Sequence, residues 1–137
     1  MKSIRYQAGL SSLGWLMVLL IAGFVLTCAF RLGPHYLDNM SIKDALKTLG
    51  EQNANIDALD KDAIFKQLNN YMMINNVRGQ EAQSFKIVRK KGRTLVNSVY
   101  EVRVPMFYNI DVLLTFKSQL DSDNTEACCE FLVEDTE

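Results

Sequence analysis

Histidine and cysteine, which carry much of enzymatic and metal chemistry, are scarce in this chain. In 137 residues there is one histidine, His35, and three cysteines. That excludes zinc-ligand spacings, and neither a phosphate loop nor a nucleophile motif is present. Cys28 lies inside an apolar run, and Cys128 and Cys129 are neighbours. A bond between neighbours is strained and uncommon, so no disulfide framework is expected and the pair reads as two ordinary residues. His35 reads as a surface residue. No enzyme, no cofactor and no metal is expected from these residues. Formal net charge is only -1, so no bulk charge argues for nucleic acid as a partner.

The charges that are present are unevenly placed. Lys86, Arg89, Lys90, Lys91 and Arg93 form a basic run, and after Lys117 every charge is acidic. Long uncharged runs are also absent, with one exception. No charge interrupts the chain between Arg5 and Arg31. The segment 10–31, at about 1.5 Å per residue, is long enough to cross the roughly 30 Å hydrocarbon core of a bilayer. We read it as a transmembrane helix behind a basic tail, 1–9. Lys2 and Arg5 on the short side favour a cytoplasmic N-terminus. The remaining domain then lies across the bacterial inner membrane, in the periplasm.

Helical spacing divides this span into two faces. Ser11, Gly14, Val18, Ala22, Val25 and Ala29 are small or β-branched. Leu13, Met17, Leu20 and Phe24, roughly opposite, are large. Small residues let helices approach closely in lipid, so the first face reads as a docking stripe for a helix of another membrane protein. The alternative is a plain lipid-facing anchor. A cleaved signal peptide has a shorter apolar region, of about 7–15 residues. A lipoprotein signal fits poorly, because Thr27 precedes Cys28. MKSIRYQAG followed by LSSLGWLMVLL resembles a prepilin leader cut after Gly9, but Gly14 stands where pilins carry an acid.

Segment 32–117 reads as one α+β soluble domain, with 118–137 an acidic tail. Arg31-Leu32-Gly33-Pro34 ends or bends the span, since proline lacks an amide donor. Ser41 is placed to cap a new helix with Ile42, Ala45, Leu46 and Leu49 on one stripe, stopped by Gly50. Asp60 caps a second helix, to about Asn75, with Ile64, Phe65, Leu68, Tyr71 and Met72 on its apolar face. From Ser84 the period becomes two. Phe85 and Ile87 alternate outward and inward with their neighbours, Lys91-Gly92 makes a turn, and Thr94 to Val104 forms a second strand that Pro105 ends. Asn109 to Lys117 gives a third, with Ile110, Val112, Leu114 and Phe116 inward. Ala127 to Val133 is a candidate fourth.

Two surfaces stand out. The basic hairpin of Lys86, Arg89, Lys90, Lys91 and Arg93 suits lipid phosphates or an acidic protein surface. The alternative is an ordinary charged tip that keeps a sheet edge soluble. The connection Pro105-Met106-Phe107-Tyr108 holds Met and aromatics where polar turn residues are usual, and such residues are enriched at binding hot spots. Met106, Phe107 and Tyr108 alternatively fold back onto the core.

RLGPHYLDN (Arg31 to Asn39) and YEVRVPMFYNIDVLLTF (Tyr100 to Phe116), with QAGLSSLGWL before them, resemble a family of small single-span bacterial proteins, domain of unknown function 4845. The resemblance implies a membrane anchor and an α+β domain somewhat similar to pilins. It also implies a partner by gene neighbourhood, the leader (signal) peptidase. It assigns no functional residues. Together these readings point to a non-enzymatic, single-pass accessory protein. A pilin-like subunit and a tethered enzyme or redox protein using Cys128 and Cys129 are the alternatives.

Overall fold

The computed structural model describes residues 11–132; the basic tail, the Gly9 cut and Val133 lie outside them. Ser11 caps the first helix, its hydroxyl accepting from the Gly14 amide at 3.3 Å. That helix, α1 (Ser12–Gln52), runs 41 residues. At 1.5 Å per residue it is a rod of roughly 60 Å, about twice the hydrocarbon thickness of a bilayer. Its two halves differ. An 18-residue window near its start has a mean hydropathy of 2.4 and is long and apolar enough to span a membrane, and none of it is buried by the chain. In the second half Ile42, Ala45, Leu46 and Leu49 are buried, the stripe expected from their spacing.

The expected break between the span and a helix opening at Ser41 does not occur. Pro34 sits inside α1, and the Ser41 hydroxyl donates back to the Leu37 carbonyl at 3.2 Å. Cooperativity explains this. Proline inside a helix costs about 3 kcal/mol. Breaking the helix and nucleating another, with a constant near 10⁻³, costs about 4 kcal/mol. Gly50 is likewise inside the helix. A Cβ there would lie 3.3 Å from Leu120 Cδ1, so glycine serves close approach to the sheet. Asn53 ends α1, its side-chain amide donating to the Leu49 carbonyl at 2.9 Å.

α2 (Lys61–Ile74) starts at Asp60 as expected, with the carboxylate accepting from the Lys61 amide. It buries Ile64, Leu68 and Met72. The sheet has three antiparallel strands in the order β1 (Phe85–Lys90), β2 (Arg93–Phe107), β3 (Ile110–Asp121). Lys91 and Gly92 both take positive φ, 46° and 81°, the requirement of a tight two-residue hairpin turn. β2 does not stop at Pro105. Its pairing with β1 ends at Phe85 opposite Ser98, so further along one edge of β2 is open. A missing amide donor there breaks no ladder bond. A register irregularity between Pro105 and Phe107 accommodates the ring.

The core lies between the sheet, α2 and the second half of α1, and includes Tyr100, Phe116 and Leu120. Val112 and Leu114 are half-buried and face inward with Phe116, but Ile110 is exposed. It sits beyond the reach of the core, at the end of the hairpin. β3 runs on to Asp121, past the expected end at Lys117. No fourth strand forms through Leu132: Thr125–Ala127 is a short 3-10 turn. Its donors bond locally, Ala127 N to the Asn124 carbonyl at 3.2 Å and Cys128 N to the Thr125 carbonyl at 3.2 Å, rather than to β3.

Two predictions follow from this packing. Because α1 is already continuous, Pro34→Ala is expected to raise stability by up to about 3 kcal/mol with no gain in far-ultraviolet helical signal. A clear gain would show that the helix is broken at Pro34. Asp57 ties the loop after α1 to the sheet, accepting from the Ser122 hydroxyl at 3.2 Å. Hydrogen bonds from Thr94 and Ser122, with Arg89 nearby, hold its carboxyl below the ordinary 3.8. Its contribution to stability is therefore present above pH ~4 and is lost as pH falls through the depressed value. Asp57→Asn should flatten the acid limb of the stability–pH curve, measured by denaturant midpoints from pH 2 to 7.

Candidate functional site

The β2–β3 hairpin lies along α1 well beyond the core, held at several levels. Tyr36 meets Phe116 edge-on at 5.3 Å, and Phe116 in turn packs on Tyr100 at 5.2 Å. The Arg31 guanidinium donates to the Pro105 carbonyl. Farthest out, the rings of Phe24 and Phe107 stack in parallel, 5.6 Å between centroids. Phe24 belongs to the apolar half of α1. The expected loop of Met106, Phe107 and Tyr108 is therefore no separate loop. Met106 and Phe107 end β2 and Tyr108 enters the turn. Met106 is buried, whereas Tyr108 is fully exposed.

The hairpin tip meets the large-residue face of the apolar half at Phe24, while Leu13, Met17 and Leu20 on that face stay exposed. The small-residue stripe is left open: Val18 and Val25 are exposed, and Gly14 is half-covered. Ser11, placed on that stripe by spacing, uses its hydroxyl as the helix cap. Ala22 and Ala29 are also exposed.

The basic hairpin is less free than its charges suggest. Arg89 donates to the Leu59 carbonyl, Arg93 pairs with Asp121 at 3.3 Å, and Lys90 is also engaged. Lys86 and Lys91 are exposed. The turn lies at the opposite end of the 15-residue β2 from Phe107, on the order of 45 Å along the strand.

A third cluster has no counterpart in the sequence reading. His35, Asp38 and Glu81 converge where α1 meets the short 3-10 turn Glu81–Gln83. His35 Nδ1 lies 4.0 Å from Glu81 Oε1 and has no hydrogen bond. Glu81 is only 9% exposed. The hydroxyl of Tyr100 is buried without a partner nearby. Burial first, then the charges of Glu81 and Asp38, hold the Tyr100 proton above its ordinary range. His35 is thus half-buried, with its ring beside Glu81. One imidazole and two carboxylates are the donor types of a divalent transition-metal site. Their ligand atoms spread over up to 4.8 Å, however, and bonds of ~2.1 Å in a tetrahedron need ligands about 3.4 Å apart. As placed, the set is a half-buried polar cluster rather than a closed metal centre. Its sequence signal was spacing: His35 and Asp38 share a helix face with Ile42 and Leu46.

The expectation that Cys128 and Cys129 stay unbonded is not met. The structure joins them in a disulfide, their Cα atoms 3.0 Å apart across a cis peptide bond. Spacing arguments assume a trans peptide, in which neighbouring side chains diverge. Cys129 Sγ rests 3.3 Å from the Lys43 carbonyl oxygen, so the pair packs against α1. Cys28 is free.

A long N-terminal helix, apolar and uncovered in one half and packed on a small antiparallel sheet in the other, defines an α+β protein with a candidate transmembrane helix. The chain belongs to the family described as Domain of unknown function (DUF4845), which matches residues 31–116. The match begins at the Arg31 tie and ends at Phe116, taking in the polar cluster, both hairpins and the helix–sheet contact. No curated protein matches the chain, and no solved structure does.

Gly79 tests the polar cluster. Its φ is +112°, and a Cβ there would fall 2.7 Å from Glu81 Oε2. Gly79→Ala is expected to destabilise by about 1–3 kcal/mol in chemical denaturation. Gly33→Ala, in a helix with nothing within 4 Å, should instead be neutral or stabilise by up to about 1 kcal/mol. Equal effects would mean that Glu81 is not held where the structure puts it.

Proposed function

We propose that this chain is a single-pass accessory protein of a bacterial inner membrane, without enzymatic activity. It would bind another membrane protein through the small-residue face of its span. The observation that carries this reading is the apolar half of α1, which the chain leaves uncovered and whose small residues fall on one face. The chain's own hairpin meets this half at Phe24, roughly opposite the stripe, on which Val18, Ala22, Val25 and Ala29 are exposed. Lipid provides no hydrophobic drive between helices, so binding rests on close contact along such a groove. The domain faces the periplasm on this reading, with the basic tail inside. Lys86 and Lys91 then point away from the membrane at the far end of β2, where an acidic protein surface suits them better than lipid phosphate. Among partners, the signal peptidase suggested by the family's gene neighbourhood is the first to test.

Gly14→Leu keeps the span apolar but holds two backbones apart. It is expected to reduce recovery of co-expressed signal peptidase in mild detergent several-fold, whereas Leu20→Ala, on the other face, should not. Equal recovery with both variants would make the stripe lipid-facing. A second reading, a pilin-like subunit, is favoured by one observation, the unbroken helix that is half protruding and half packed on an antiparallel sheet. The intact mass of the mature protein separates the two: loss of residues 1–9 supports the subunit, and an uncut chain supports the accessory protein.

A further inference from the structure

The end of the β2–β3 hairpin departs from what a water-facing turn usually presents. Beyond Pro105 and Asp111, which pair across the strands, the chain reads Met106-Phe107-Tyr108-Asn109-Ile110. No charge is among these residues. Phe107 is 43% exposed, Tyr108 110% and Ile110 59%. Asn109 and the hydroxyl of Tyr108 are its only polar side-chain groups. The last charges before this tip are Asp111 on β3 and, beside it on the helix, Arg31, which holds the Pro105 carbonyl.

Two independent rulers give the reach of the tip past that charged level. Along α1, Phe24 lies seven residues before Arg31, about 10 Å. Along the strand, Tyr108 lies three residues past Pro105, again about 10 Å. The Phe24–Phe107 stack joins the two. Whatever medium surrounds Phe24 therefore surrounds Phe107 as well.

We infer that this tip is a second membrane-inserting element, seated in the lipid beside the span on the side where α1 emerges. The inference rests on the reading that the apolar half of α1 crosses a bilayer. Its ligand is the bilayer itself. With Arg31 and Asp111 in the headgroup layer, a 10 Å reach takes the tip through an interfacial region several ångströms thick to the edge of the hydrocarbon. Tyrosine and phenylalanine suit that depth, tyrosine keeping its hydroxyl near water. The backbone is prepared for it too. Unsatisfied peptide groups are costly in lipid. At the point of entry the open edge of β2 carries Pro105, which has no amide donor, and Arg31 satisfies its carbonyl. The turn at Tyr108 and Asn109 is the deepest point, and it stops at the hydrocarbon edge, where headgroups still meet its polar groups.

The single tryptophan, Trp15, lies in the apolar half of α1 and makes the test internal. The full chain is reconstituted into phosphatidylethanolamine–phosphatidylglycerol vesicles whose acyl chains carry bromine. In the unmodified protein Trp15 reports the span. In Trp15→Phe/Tyr108→Trp the only tryptophan reports the tip, and because Tyr108 is fully exposed, the exchange leaves the packing alone. In Trp15→Phe/Lys91→Trp it reports the far end of β2. The inference expects both Trp15 and the residue at 108 to lose most of their emission to brominated lipid, the latter most strongly to bromine near the headgroups, and the one at 91 to keep it. It is overturned if the residue at 108 keeps its emission and is quenched by aqueous iodide while Trp15 is quenched by lipid. Equal quenching at 108 and 91 also overturns it, since the whole domain would then lie on the surface. If Trp15 itself escapes the lipid, the span reading fails first and takes the inference with it.

Discussion

One face of one helix organises this protein. Phe24, Arg31, His35, Asp38, Ile42 and Leu46 follow one another at intervals of seven, four, three, four and four residues, so they stay in line along α1. Each meets the rest of the chain differently: a stacked ring, a carbonyl, a buried carboxylate, then the apolar core. The character of the contact changes in step with distance from the apolar end. Dispersion and ring stacking hold the outermost level, where residues 106–110 carry no charge. Hydrogen bonds and charge act at the middle, and hydrophobic burial dominates at the base. A kink at Pro34 would rotate the base out of line with the tip and lose one of these sets of contacts. This adds to the nucleation cost already opposing a break, and it accounts for a proline being held inside a helix of this length.

Much of the domain was legible because its periods are local. The α2 stripe, the Lys91-Gly92 turn and the alternating faces of β2 each depend on residues a few positions apart, and the structure places them as their spacing indicates. The misreadings share a cause of the opposite kind. Pro34 and Pro105 both read locally as punctuation. Whether a missing amide matters depends on what lies across from it, and that is set by distant segments. At Pro105 the answer is that β1 stops opposite Ser98. At Pro34 it is the buried stripe that begins eight residues on, at Ile42. Gly50 is similar: it looked like a helix stop, yet it marks where Leu120 comes close.

The candidate sites divide along the same line. The small-residue stripe could be read because helical spacing alone defines it, and the structure leaves it open. The basic hairpin could be located but not judged, since two of its arginines are bound to Leu59 and Asp121, far off in sequence. Glu81 could not be found at all. It sits in a short polar connection, and only the fold brings it under His35. The stacking of Phe107 on Phe24 spans 83 positions and leaves no local trace. The uncharged run around it, unusual for a turn, was the visible sign.

Being tied to α1 at three levels has a mechanical consequence. The hairpin and the helix cannot swing independently without breaking the ring stack, the Arg31 bond or the Tyr36–Phe116 contact. The sheet therefore follows the helix as one body. The basic turn stands on the order of 45 Å from the tip, so on the membrane reading a change of roughly 10° in the tilt of the span displaces that turn by about 8 Å. On the proposed function, a partner helix seated on the small-residue stripe would set that tilt. Contacts within the bilayer and the position of Lys86 and Lys91 far outside it are then one variable rather than two. The family match over residues 31–116 takes in two of these three ties, at Arg31 and at Tyr36, and Phe24 lies before it.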